Sequence, residues 1–187
     1  MTALIGLSGS LRRGSLNTAL LKAAAGAMPD GTTLTIGSIH GIPLYDGDLE
    51  AAEGIPQPVA ELKEAIAAAD GLLLVTPEYN NSIPGVFKNA IDWLSRPAAD
   101  IPRVFGKKPV ALIGASPGGF GTILSQCAWL PVLRTLGTEL WSEGRLLVSR
   151  AHTVLGEDGS ISDPKVAEQL RSFLQGFTAF TQSSRRT

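Results

Sequence analysis

Three nearly unbroken apolar runs, "ALIGLS" (3–8), "GLLLVT" (71–76) and "PVALIGAS" (109–116), constrain this 187-residue chain more than any other feature. Successive residues of a strand point to opposite faces of a sheet, so a strand apolar at every position has no side left for water. Such strands must be covered on both faces, which is the situation of a parallel sheet between two helical layers. "TLTIGSI" (33–39) reads as a further strand, and the last of five falls within 138–148. Between these runs the apolar period lengthens to that of a helix. Leu20, Leu21, Ala24 and Met28 form one stripe, Val59, Leu62, Ile66 and Ala69 a second, and Val86, Phe87, Ala90, Ile91 and Leu94 a third. Val166, Leu170, Phe173, Leu174 and Phe177 form the strongest. The expectation is an α/β fold, a three-layer sandwich around a five-stranded parallel sheet, with residues 1–187 forming a single domain.

Asn17 and Asp163 are the expected N-caps, the second followed by Pro164 at the first helical position. Residues 41–58 are expected to be a long irregular connection, and the final "SSRRT" to fray. In a sheet of this kind ligands bind at the carboxyl ends of the strands. The loops after the first, third and fourth strands are therefore the ones to read for chemistry.

Composition narrows the classes of ligand. The net charge of −1 offers no basic field for nucleic acid, so any anion site must be local. One cysteine, Cys127, forms no internal disulfide and fits a reducing compartment. With no signal-peptide pattern and no apolar run of membrane length, a cytoplasmic protein is expected. Cys127 sits among apolar residues and is expected to be buried packing. Trp93, Trp129 and Trp141 are expected as core or interface anchors. His40 and His152 show no metal-ligand spacing.

The first loop, "SGSLRRGSLN" (8–17), combines small residues, hydroxyls and guanidinium groups just before a helix. Small residues let backbone N–H groups approach an anion, and a helix N-terminus adds partial positive charge. Ser10, Ser15 and Arg12 can add donors. Its Gly9 and Gly14 have the G-x₄-G spacing, but Ser15-Leu16 stands where a phosphate loop of the NTPase type needs Lys and then Ser or Thr. The second loop, "PEYNNSIPG" (77–85), is stiffened by two prolines and suits the edge of a flat heterocycle, with Tyr79 and Ile83 as walls. The third, "GASPGGFG" (114–121), matches the G-x-S-x-G nucleophile elbow through Ser116. Against a serine hydrolase stands Pro117, which has no N–H to offer an oxyanion. A close-fitting floor for a planar ligand is the alternative use of its glycines.

Taken together, these loops resemble those of the NAD(P)H-dependent FMN reductase family, especially its quinone and chromate reductase branch. "GSLRRGSLN" is similar to the family's G-S-x-R-x-x-S-x-N loop, and "TPEYNNSIPGVFKNAIDWLSR" to its P-E-Y-N-x-S-x-P-G-x-x-K-N-A-I-D-W motif. The likeness runs from residue 4 to about 180 and is weakest after 120. It implies a flavodoxin-like fold of strand order 2-1-3-4-5 and non-covalent FMN. Ser10, Arg12, Ser15, Leu16 and Asn17 would surround the FMN phosphate. Pro77, Glu78, Tyr79 and Asn80 would line the isoalloxazine, with Ser116, Gly118 and Gly119 on its other side. NADH or NADPH would be the donor. Quinones, free flavin, chromate, ferric complexes or azo compounds would be acceptors in a ping-pong reaction with no acid, base or nucleophile from the protein. A homodimer or homotetramer is implied as well. A flavodoxin-type electron carrier and, more remotely, a hydrolase using Ser116 are the competing readings.

Overall fold

The computed structural model describes residues 1–184. Strands β1 (Thr2–Ser8), β2 (Thr32–Gly37), β3 (Gly71–Val75) and β4 (Pro109–Ala115) pair in parallel in the order β2-β1-β3-β4. The next position is shared by β5 (Glu139–Leu140) and β6 (Leu146–Val148), which pair with the beginning and end of β4. The order 2-1-3-4-5 is thus present, but the expected fifth strand is two pieces and the sheet has six strands. Trp141 marks the break. Its N–H still donates to the Val110 carbonyl at 2.8 Å, while its indole packs edge-on to Phe173, with ring centroids 4.8 Å apart.

The helices in chain order are α1 (Leu16–Gly26), α2 (Gly47–Glu53), α3 (Gln57–Ala68), α4 (Gly85–Leu94), α5 (Ile101–Val104), α6 (Ile123–Thr135) and α7 (Pro164–Ser184). Alternate strand residues feed two cores. Ile5, Leu7, Leu72 and Leu74 meet Val59, Phe87, Trp93 and Trp129 from α3, α4 and α6. On the other face Leu4, Leu73, Val75 and Ile113 meet Leu20, Leu21, Leu174 and Phe177 from α1 and α7. All three tryptophans are buried. No helix among the described residues is long and apolar enough to cross a membrane.

Several local expectations change. Ser15, not Asn17, caps α1: its backbone is extended (φ −79°, ψ 124°) and its hydroxyl accepts from the Thr18 N–H at 3.3 Å. Asp163 does cap α7, accepting from the Lys165 N–H at 2.8 Å. The connection 41–58 contains α2, capped by Asp46. That helix buries no residue, so it has no apolar stripe to betray it. Cys127 is exposed rather than buried. It lies two residues before the buried Trp129, and a step of two turns a helical side chain to nearly the opposite face. Of the expected frayed tail, Ser183 and Ser184 continue α7 and residues 185–187 lie outside the described residues.

Candidate functional site: a cleft at the carboxyl edge of the sheet

The loops after β1, β3 and β4 converge on a cavity of about 180 Å³. Ser10, Arg12, Ser15, Leu16 and Asn17 line it from the first loop, Pro77, Glu78 and Tyr79 from the second, and Ala115, Ser116 and Pro117 from the third. Asn80, Gly118 and Gly119 are not among the lining residues, whereas Ala115 and Pro117 were not expected there. A larger hollow of about 320 Å³ lies between α6 and residues 140–145. The smaller cavity is the one on which the three loops after β1, β3 and β4 converge, which makes it the candidate site.

Packing forces the first loop into place. A side chain at Gly9 would put its Cβ 2.2 Å from the buried Phe87 ring, so only glycine lets the loop leave β1 against α4. The Asn17 side chain makes a two-way bridge to the main chain of Ala115, donating to its carbonyl at 2.8 Å and accepting from its N–H at 2.9 Å. Asn17 is 4% exposed. Its amide is therefore committed to joining α1 to the end of β4, and only its backbone N–H is left for a ligand. Arg12 donates to the Gly14 carbonyl at 2.8 Å, which curls the loop on itself. Among the described residues, the backbone N–H groups of Leu11, Arg13, Gly14, Ser15, Leu16 and Asn17 have no hydrogen-bond acceptor. A run of unpaired donors beside a helix N-terminus and a guanidinium is an anion cradle.

The second loop is a tight hairpin. Tyr79 and Ser82 exchange backbone hydrogen bonds at 3.2 and 3.0 Å, with Asn80 (φ 51°) and Asn81 (φ 60°) both left-handed at the tip. Two such residues between a bridged pair define a type I′ turn, and asparagine tolerates that backbone better than most residues. The turn carries Asn80 away from the cavity and leaves Tyr79 half-exposed beside it. Glu78 turns inward to α6, where its carboxylate accepts from the N–H groups of Leu124 and Ser125 at 2.9 and 3.0 Å. Behind it, the buried Thr76 hydroxyl bonds to Ser125 at 2.8 Å and accepts from the Trp129 indole N–H at 3.1 Å. This buried polar network, which the sequence did not reveal, holds the second and third loops at fixed separation.

In the third loop, Gly114 is required by packing: a Cβ there would lie 1.9 Å from the Thr122 hydroxyl and 2.4 Å from the Thr76 carbonyl. Gly118 and Gly119 are different. Neither has a positive φ, and a Cβ at Gly119 would meet nothing within 4 Å. The loop backbone is stapled to the strand beyond it, with the Ser116 N–H donating to Val148 and the Ala151 N–H to Ser116. The Ser116 hydroxyl itself has no hydrogen-bond partner among the described residues, so no base activates it as a nucleophile. Tyr45 stands outside the cavity: its hydroxyl donates to Glu50 at 2.9 Å and its ring packs on Trp93. Arg96 also donates to Glu50, which holds that carboxyl below its usual range, and the bond to Glu50 raises the Tyr45 hydroxyl.

Sequence and structure comparisons agree with this arrangement. Residues 2–153 match the family of NADPH-dependent FMN reductases. The chain is 40% identical over 181 residues to the NAD(P)H-dependent FMN reductase PA1204 of Pseudomonas aeruginosa, covering 97% of this chain and 96% of that one. It is 37% identical over 177 residues to a 2-hydroxy-1,4-benzoquinone reductase of a Burkholderia species, covering 95% and 94%. Among solved structures, FerB, a flavoenzyme NAD(P)H:(acceptor) oxidoreductase of Paracoccus denitrificans, superposes with a TM-score of 0.87 at 34% identity, over 98% of this chain and 99% of that one. The family match and these likenesses, on a flavodoxin-like sheet, establish that the chain is an oxidoreductase belonging to the NADPH-dependent FMN reductase family.

Proposed function

We propose that the cleft binds FMN and that the holoprotein reduces quinones at the expense of NAD(P)H. The observation that carries this reading is the run of unpaired N–H groups between Leu11 and Asn17 with Arg12 beside it. These donors fit a phosphate monoester, which offers several acceptor oxygens and a double negative charge. A cavity of about 180 Å³ is small for a whole flavin nucleotide, since pockets that enclose a ligand of that size start near ~300 Å³. The first-loop residues would accordingly hold the phosphate end, and Tyr79 and the 116–119 loop would flank the ring. Gly118 and Gly119, with no steric demand of their own, leave room there for a flat group.

When bound, FMN supplies the two-electron chemistry, taking hydride from the nicotinamide and passing the electrons to an acceptor. The residues of the chain bind and orient. Arg12, the Ser15 hydroxyl and the loop amides fix the phosphate, Asn17 locks that loop to β4, and Glu78 with Thr76 keeps the two ring-facing loops apart. None of these groups needs to transfer a proton, and positioning is the protein's contribution. If donor and acceptor used the same side of the bound flavin they would take turns there, which would give ping-pong kinetics. The relative that reduces 2-hydroxy-1,4-benzoquinone supports quinones as acceptors. Free flavin, chromate, ferric complexes and azo compounds would reach the same face. The 187 residues act as one catalytic unit in the cytoplasm. The exposed apolar side chains Phe120, Leu124 and Leu130 support a homodimer or homotetramer.

An anaerobic titration of the FMN-loaded protein tests the reading. NADPH or NADH bleaches the flavin absorbance, a benzoquinone restores it, and initial rates at several acceptor concentrations give parallel double-reciprocal lines. Retained flavin that neither nucleotide bleaches would overturn the reductase reading.

A further inference from the structure

We infer that Arg150 docks a phosphoryl group of the incoming nicotinamide nucleotide, an inference that rests on the reductase reading above. Arg150 follows β6 at the carboxyl edge of the sheet. Its backbone N–H donates to the Gly118 carbonyl at 2.9 Å, and the next residue, Ala151, donates to the Ser116 carbonyl at 2.9 Å. Residue 150 is thus stapled to the loop whose Ser116 and Pro117 line the cleft. Ala151 is fully buried, so the base of the arginine is rigid.

The backbone at Arg150 is left-handed (φ 46°, ψ 37°). Glycine or asparagine would hold this turn at lower cost, so the turn alone does not account for an arginine. Nor does packing, because the side chain is exposed and its guanidinium has no ion pair or hydrogen bond among the described residues. Lys107 adopts a similar backbone (φ 54°), but just before β4 at the opposite end of the sheet. Strain beside a ligand cleft, with an unspent charge on it, is what sets Arg150 apart.

The chemistry of the two ligands explains why another cation is wanted. The FMN phosphate is served by the loop amides and Arg12, whereas a nicotinamide nucleotide brings a pyrophosphate, and NADPH a further 2′-phosphate. A planar guanidinium binds such groups through two parallel hydrogen bonds. Arg96, by contrast, already has its charge paired with Glu50, its Nε donating to that carboxylate at 2.8 Å.

The test uses FMN-loaded protein carrying Arg150→Asn, which suits the left-handed turn, with Arg150→Lys alongside. Calorimetric binding of NADP⁺ and NAD⁺, FMN affinity and the melting temperature are measured for each. Loss of one charge-assisted contact weakens NADP⁺ binding in Arg150→Asn by about ten- to a hundredfold. FMN affinity and melting stay at the wild-type level, Arg150→Lys recovers part of the loss, and added salt weakens the wild type more than Arg150→Asn. Loss for NADP⁺ alone identifies the 2′-phosphate as the group held, and equal loss for NAD⁺ identifies the pyrophosphate. Unchanged binding of both nucleotides would overturn the inference, as would a loss of FMN affinity in their place. A wild-type protein that binds no nicotinamide nucleotide and does not bleach would remove the reductase reading, and the inference with it.

Discussion

Among the helices that follow the cleft loops, α1 and α6 have N-termini treated in opposite ways. At α6 the protein supplies its own anion: the Glu78 carboxylate accepts from the Leu124 and Ser125 N–H groups. At α1 the Leu16 and Asn17 N–H groups and the amides leading up to them are unpaired among the described residues, with Arg12 nearby. Both ends carry the same partial positive charge, so the helix dipole cannot distinguish them. What distinguishes them is whether the fold has already spent the site. On the proposed function, the α1 end is where a phosphate-bearing cofactor would place its charge. Glu78 belongs to the scaffold of the cleft more than to its ligand contacts, although it stands in the motif that suggested a flavin neighbour.

The sharpest way to break this contrast is to give α1 what α6 already has. Arg12→Glu removes a charge-assisted contact and sets a like charge against the phosphate, and FMN affinity is expected to fall about a hundredfold or more. The melting temperature of the apoprotein should hardly move, since Arg12 is exposed. Next comes Asn17→Ala, which strands the N–H and carbonyl of Ala115 inside the protein and costs about 2–4 kcal/mol of stability by urea unfolding. Glu78→Ala is smaller, about 1–2 kcal/mol, because two first-turn donors lose their cap. It should weaken FMN binding less than Arg12→Glu does, while opening the α6 helix end, so inorganic phosphate should raise its melting temperature more than that of the wild type. Glu78→Gln keeps an acceptor and loses only the charge, about 0.3–1 kcal/mol. A large drop in FMN affinity from either change at Glu78 would erase the contrast.

Sequence reading was strongest where burial dictates residue type. The runs 71–76 and 109–116 lie within a residue of β3 and β4, because a strand covered on both faces must be apolar throughout. It was weakest where pattern and burial part company. Helix α6 is apolar on most sides, so no stripe told that Trp129 faces in and Cys127 faces out. Helix α2 has no stripe at all. The split between β5 and β6 coincides with the packing of the Trp141 indole on Phe173, a tertiary contact that no local window contains. In the cleft, most of the expected first-loop and second-loop residues gather around one cavity. The finer division of labour was not legible. Asparagine in a binding motif looks like a ligand donor, and only coordinates show Asn17 spending its amide on Ala115 and which helix end Glu78 serves.

The most direct measurement compares FMN with riboflavin, which has the same ring and ribityl chain but no phosphate, by titration into flavin-free wild-type and Arg12→Ala protein. An open anion cradle at α1 predicts that the wild type binds FMN at least about a hundredfold more tightly than riboflavin. In Arg12→Ala that ratio should shrink by about tenfold or more, with riboflavin affinity unchanged. Equal affinity of the wild type for the two flavins would contradict the central claim, since the unpaired amides from Leu11 to Asn17 would then hold no phosphate.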